Sequence, residues 1–299
     1  MKKTLTPAYL IGLTIAAAAA GTVYGILLAR QAPGTIDPTR LWLQGVMHGI
    51  TALCYAGATW VCLKIAADYP DSSAMKLAWR LIAAHSVFAM MRHGYESLSV
   101  MTGWMTSLPT TITTLRQIPI VISLILLSAG LIALWSSFTA IGIGLRFRMA
   151  DYLLLGLILA LVPLILSQQQ EMVDSRSAYS FIRRLQAASP GLLAVPAAVS
   201  LILHRISQEI GGGQLAFSLR LLAVFLLMRM LSLFLSLFPD WPVLTVASRT
   251  TFWVTPWMFL LAVYYRWRLT VAATELAQRY ESDPERELSV LKTQRPAGV

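Results

Sequence analysis

Charge is what this chain has least of. Asp, Glu, Lys and Arg together make up 13% of its 299 residues, about half the share found in soluble domains, and that scarcity argues against a soluble globular fold. Cysteine is scarcer still: only Cys54 and Cys62 are present. They lie eight residues apart on one expected helix, a rise of about 12 Å, too far for a disulfide, so both read as small buried apolar residues. Three catalytic signatures are also missing: a phosphate-cradling glycine loop with its lysine, an H-E-x-x-H zinc motif and a nucleophile elbow. The glycines of "IGGGQ" at 210–214 have neither the preceding strand nor the charged partners of a nucleotide loop. No enzyme chemistry is supported by any motif, and the sequence leans away from an enzyme.

What is present is mostly apolar. Hydrophobic residues make up 57% of the chain and the mean hydropathy is +0.64. Crossing a ~30 Å hydrocarbon layer takes roughly 20 mostly apolar residues as helix. About eight such windows can be drawn (seven if a short one is discounted), at 9–28, 41–65, 78–98, 118–141, 152–167, 185–203, 215–238 and 252–265. The apolar runs are continuous, not alternating, which excludes a transmembrane β-barrel. The expected fold is therefore all-α: a polytopic transmembrane helix bundle over residues 1–265, followed by a cytoplasmic helical tail over 266–299.

The start of the chain, "MKK" followed by an apolar core and "AAAAAG", resembles a secretory signal peptide. Its apolar run continues through "GTVYGILLA" to Arg30, however, so a retained span is expected. Gly12, Ala16 and Ala20 form one line along it, and Ala17, Gly21 and Gly25 the next. That is a close-packing face, expected to meet other helices of the same chain.

Basic residues set the expected orientation. With the N-terminus in the cytoplasm, fifteen of the 24 lysines and arginines fall on the cytoplasmic side and seven on the other, with Arg92 and Arg229 inside spans. Both termini are thus expected to face the cytoplasm of a bacterial inner (plasma) membrane. The net charge of +10 follows from cytoplasmic loops meeting an anionic leaflet, and membrane lipid, not nucleic acid, is the expected partner.

Against this background "AMMRHGYESLS" at 89–99 stands out, because an arginine at mid-helix costs about 2.5–3.5 kcal/mol on insertion scales. At about 100° per residue, His85, Arg92 and Glu96 share a sector of the third span, with His93 some 80° round. The second span carries a matching stripe of Gln44, His48, Thr51, Tyr55 and Thr59, and the seventh carries Ser218, Arg229, Ser232 and Ser236. At 1.5 Å per residue, His48, His93 and Arg229 lie about 10, 8 and 14 Å from the outer ends of their spans. Gln168 and Glu171 end the fifth. The expected site is a cationic, polar pocket in the outer half of the bundle, built from Arg92, Glu96, Arg229, His48, His93, Tyr55, Gln168 and Glu171 and suited to an anionic small ligand.

Pro190, Gly191 and Pro196 predict a broken sixth span, as in helices that line binding cavities. A b-type haem between His48 and His93 is an alternative use of the histidines; otherwise the cofactor is unknown. The tail restarts at Ser282, with Glu285 three residues on as a capping box, and offers a surface for a protein partner. The composite expectation is a ligand-binding or sensor module, or an accessory subunit of a membrane complex. A transporter or lipid-handling protein is the alternative, and a haem redox subunit a further one.

Overall fold

The computed structural model describes residues 7–30, 37–103, 118–140, 142, 148–170, 180–210, 213–236, 238 and 240–282; for residues 7, 161–170, 180–193, 214, 274 and 276–282 it describes the backbone alone. Among these residues the chain is entirely helical. Its eight helices are α1 (Pro7–Arg30), α2 (Pro38–Ala67), α3 (Ala74–Met101), α4 (Ile118–Ala140), α5 (Met149–Gln170), α6 (Ser180–Glu209), α7 (Gln214–Leu235) and α8 (Pro242–Ser282). Four of them, α1, α2, α4 and α7, are long and apolar enough to cross a membrane. The other four coincide with the remaining apolar windows. In α3 the residues His85, Arg92, His93 and Glu96 dilute the hydropathy.

Local signals start the helices where the sequence allows. Asp37 caps α2, its side chain accepting from the Thr39 N–H with Pro38 in the first turn, where a missing N–H costs nothing. Ser73 caps α3 in the same way, through the Met75 N–H. Gly213 precedes α7 with φ of 101°, a conformation that disfavours any side chain.

Six helices close into a ring in the order α2, α3, α4, α6, α7, α8 and back to α2. Outside the ring, α1 packs on α8 and touches α2 lightly, and α5 packs on α6. Cys62, Ile65, Ile82, Leu131, Leu203, Leu226 and Phe259 are fully buried in the ring's interior. The outer surface is also apolar: Trp42, Leu53, Leu153 and Leu159 are each more than half exposed. In water such a surface drives association, whereas hydrocarbon accepts it.

The small residues of α1 divide between two environments. A Cβ on Gly25 would meet Val246 Cα at 2.8 Å, and one on Gly21 would meet Thr250 Cα at 3.1 Å, so this line lets the backbones of α1 and α8 approach closely. Gly12 faces open space. Ala16, Ala17 and Ala20 line an apolar groove of about 210 Å³ shared with Met47, Ile50 and Trp253.

Two expectations about proline meet different outcomes. The break expected at Pro190, Gly191 and Pro196 does not occur: α6 is one helical element from Ser180 to Glu209, bedded between α4 and α7 with α5 on its outer side. In α8, Pro256 cannot donate to the Phe252 carbonyl, and the Thr255 hydroxyl donates to that carbonyl instead at 2.9 Å. The Cys54 thiol of α2 donates to the Pro256 carbonyl at 3.2 Å. The helix thus continues through its proline with the released group satisfied, which an apolar environment demands. At 41 residues α8 is about 62 Å long, roughly twice the hydrocarbon thickness, and runs without interruption past residue 265, where the sequence placed the start of the tail. Ser282, expected to cap a new helix, is the last residue of α8, and the segment after it lies outside the described residues.

Candidate functional site

The register of α2 against α3 is held by the Ser97 hydroxyl, which donates to the Gly45 carbonyl at 2.8 Å. One turn on, Gly49 makes room: a Cβ there would lie 3.0 Å from Ser97 Oγ. A further step along the antiparallel pair brings His48 and His93 together, with Nδ1 to Nδ1 at 2.8 Å. One ring therefore carries its proton on Nδ1 and donates it to the lone pair of the other. Tyr55, two turns on from His48, stacks on His93 with centroids 5.7 Å apart and planes 17° from parallel. Trp253 of α8 meets His48 edge-on at 4.8 Å. Both histidines are buried.

Beside this pair lies a cavity of about 40 Å³, large enough for a few water molecules. Tyr55 of α2, His85, Arg92 and His93 of α3, Ser123 of α4, and Phe225 and Arg229 of α7 contribute to its walls, and among the described residues no carboxylate does. Arg229 lays its guanidinium over the Phe252 ring, 4.3 Å from the centroid, a contact worth about 2 kcal/mol or more when desolvated. No described carboxylate pairs with it. His85 is fixed from α4, its Nδ1 lying 2.9 Å from the Ser123 carbonyl and 2.7 Å from the Ser123 hydroxyl. Its Nε2 is buried with no hydrogen-bond partner among the described residues, so the cavity wall carries an unused polar atom.

The expected residues are only partly gathered. Arg92, His93, Tyr55 and Arg229 share the cavity, and His48 stands directly behind it. Glu96 is buried one turn beyond Arg92 but does not line the cavity. Gln168 lies in the last turn of α5, which packs outside the ring, and its side chain and Glu171 lie outside what the structure describes. The serines of the α7 stripe serve other ends. Ser218 donates to the Ala262 carbonyl at 2.8 Å, and Ser232 and Ser248 bond to one another's carbonyls across α7 and α8. Ser236 bonds within its own helix.

Ser123, Phe252 and Trp253 were not marked by the sequence. Ser123 sits in a leucine-rich span where a single hydroxyl carries little signal. The two aromatics belong to a helix whose ring is assembled only in three dimensions.

In the arrangement described, His48 and His93 are engaged with each other, not spaced about an iron. Two nitrogens on opposite faces of one metal stand roughly 4 Å apart at metal–N lengths of about 2.0 Å, whereas these Nδ1 atoms are 2.8 Å apart and bonded to each other. The adjoining cavity, about 40 Å³, is far smaller than a macrocycle. Among the described residues no group of three or more His, Cys, Asp or Glu is placed to hold a metal ion.

Compared with protein-family models, with curated proteins and with solved structures, the chain matches none. What it does must therefore be argued from the arrangement of its own residues.

Proposed function

We propose that this is a multi-pass protein of the bacterial inner (plasma) membrane in which all eight helices cross, with both termini cytoplasmic. In this reading it binds a small anionic group in the outer half of the bundle, as a ligand-binding or sensing module or an accessory subunit of a membrane complex. One observation carries the reading: Arg229 lies in the wall of a small cavity against an aromatic ring, with a second arginine in the same wall and no described carboxylate there. A cation kept in apolar surroundings needs a counter-charge. No described carboxylate pairs with Arg229, so a ligand's negative charge would meet it there.

The cavity's size selects the ligand chemistry. At about 40 Å³ it admits an oxyacid group, a carboxylate or phosphate, and not a whole metabolite. Such a group can arrive as a free anion or as the head of a lipid. A lipid-handling role is the second reading, favoured by the apolar groove of about 210 Å³ whose wall includes Trp253, the residue in edge contact with His48. The C-terminal end of α8 and the tail beyond it form the proposed docking site for a protein partner.

The test uses the full chain in phosphatidylcholine nanodiscs. Formate and sulfate are titrated calorimetrically, and the nanodiscs are then remade with phosphatidylglycerol. Saturable binding of the free anions supports the ligand-binding reading. Saturation seen only as competition by the anionic lipid moves the assignment to lipid handling. Absence of both overturns the pocket.

A further inference from the structure

We propose that the cavity selects an oxyanion that still carries a hydroxyl, taking the ligand's O–H on His85 Nε2 and its charged oxygens at Arg229. The proposal rests on the anion-pocket reading above and narrows the ligand to one class, the protonated oxyanions, of which hydrogen phosphate is the probe.

The tautomer of His85 follows from its partner on α4. Its Nδ1 lies 2.9 Å from the Ser123 backbone carbonyl, and a carbonyl oxygen can only accept, so the ring's proton sits on Nδ1. The Ser123 hydroxyl, 2.7 Å from the same nitrogen, is a second acceptor there and has the His85 carbonyl, at 3.4 Å, for its own proton. Nε2 of the neutral ring is then a bare lone pair. It is buried and meets no donor among the described residues, while His85 itself belongs to the cavity wall. A buried acceptor without a donor is costly. A donor can reach it from the cavity.

Arg229 supplies the complementary half. Its guanidinium lies over Phe252 in the wall that also holds His85, and it can only donate. The two groups therefore ask opposite things of a ligand: oxygens that accept at Arg229 and a hydroxyl that donates at Nε2. Sulfate meets only the first demand, because at neutral pH it has no proton to give. Hydrogen phosphate, of the same charge and nearly the same size, meets both. No covalent bond forms, and the proton stays on the ligand oxygen.

Other groups face His85 from each neighbouring helix. Tyr55 of α2 stands edge-on to it at 6.1 Å and Phe259 of α8 at 5.7 Å. From its own helix Arg92 and His93 share the wall, the His93 Nδ1 being turned to His48; Glu96 is buried three turns away. From α4 comes Ser123, and from α7 come Arg229 and Phe225. In acid the ring gains its second proton at Nε2 and donates to either ion. The preference for phosphate is therefore expected to shrink as the pH falls.

The experiment is calorimetric titration of the full chain in phosphatidylcholine nanodiscs with phosphate and with sulfate at about pH 8, where both are mainly dianions. Phosphate is expected to bind about tenfold tighter or more, with arsenate ranking beside phosphate and selenate beside sulfate. His85→Phe keeps a ring in the wall without the acceptor and should bring the affinities together, chiefly by weakening phosphate. His204→Gln, outside the cavity, should keep the preference. If His85→Phe does not fold, the ranking of the four ions still decides. Nanodiscs with phosphatidic acid or with phosphatidylmethanol, whose diester has no hydroxyl, are compared at about pH 6, where a phosphomonoester keeps part of its second proton. Competition by phosphatidic acid alone supports the same chemistry on a lipid head, and competition by neither supports a free ion. Phosphatidylmethanol competing as well as phosphatidic acid overturns the proposal. So do affinities that do not follow the hydroxyl, or a preference that survives His85→Phe, and both leave the pocket standing. Binding of none of the ions and neither lipid overturns the pocket and this inference together.

Discussion

Ser232 and Ser248 hold α7 to α8 by exchange: each donates its hydroxyl to the other's backbone carbonyl, at 3.0 and 2.9 Å. Because each alanine substitution removes one of the two bonds and leaves the other whole, S232A and S248A are expected to cost ~0.6 kcal/mol each and to add in the double variant. Unfolding measurements in micelles check this. A double loss well above the sum would mean that the helices part once either bond is gone.

Close approach of α1 to α8 makes a sharper prediction. A Cβ on Gly25 lands 2.8 Å from Val246 Cα, whereas one on Gly12 meets nothing within 4 Å. Gly25→Ala should destabilise by about 1–3 kcal/mol, as overpacking does, and Gly12→Ala should be neutral or slightly stabilising, as alanine is in helices. Comparable losses at both positions would show that a second surface also covers the Gly12 line.

Arg229→Gln and Glu96→Gln should separate binding from stability. The first removes the guanidinium over Phe252 and is expected to weaken sulfate binding by about tenfold or more, roughly 1.4 kcal/mol, with a smaller effect on unfolding. The second removes a buried carboxylate and should destabilise the empty protein by about 1–3 kcal/mol, while sparing or tightening anion binding. Equal stability losses with no anion bound to either variant would make the charges a purely structural network.

Topology is open to reporter fusions. A reporter fused after Val299 should be active only in its cytoplasmic form, and one inserted near Ser175 only in its periplasmic form. Periplasmic activity at the C-terminus would mean an odd number of crossings, with α5 or α6 the first to re-examine.

Acid should affect the α2–α3 turn in a defined direction. The Lys76 ammonium, 2.8 Å away, donates to the Asp71 carboxylate and, with Arg80, holds it below its ordinary value of 3.8. A lowered folded value means that the contribution is present above about pH 4 and is lost as the pH falls further. Asp71→Asn should therefore lower the melting temperature slightly at pH 7 and make no difference near pH 3. A difference that persists in acid would point to a role for Asp71 other than its charge.

Helical class, and the matching level of His48 and His93 along their helices, were legible in the sequence because both follow from periodicity and rise. His48 and His93, at about 10 and 8 Å from their span ends by counting at 1.5 Å per residue, turn out to be in direct contact. Which helices are neighbours was not legible. Nothing in α5, the helix that carries Gln168, announces that it packs outside the ring. Proline was a poor guide in α6 because helix continuity depends on what receives the freed carbonyl, as the Thr255 hydroxyl shows in α8. Phe252 and Trp253, which pack against Arg229 and the two histidines, were missed for a related reason: an aromatic in an apolar run has no period that distinguishes facing the interior of a bundle from facing lipid.

Closure of the ring by α8 also sets an order in time. His93 leaves the ribosome roughly 160 residues before Phe252 and Trp253, an interval of about 8–30 s at 5–20 residues per second. For that period α2, α3 and α4 hold the histidine pair and Arg92 without the aromatic wall that later shelters them. Chains interrupted before residue 242 carry every charged group of the pocket and lack that wall.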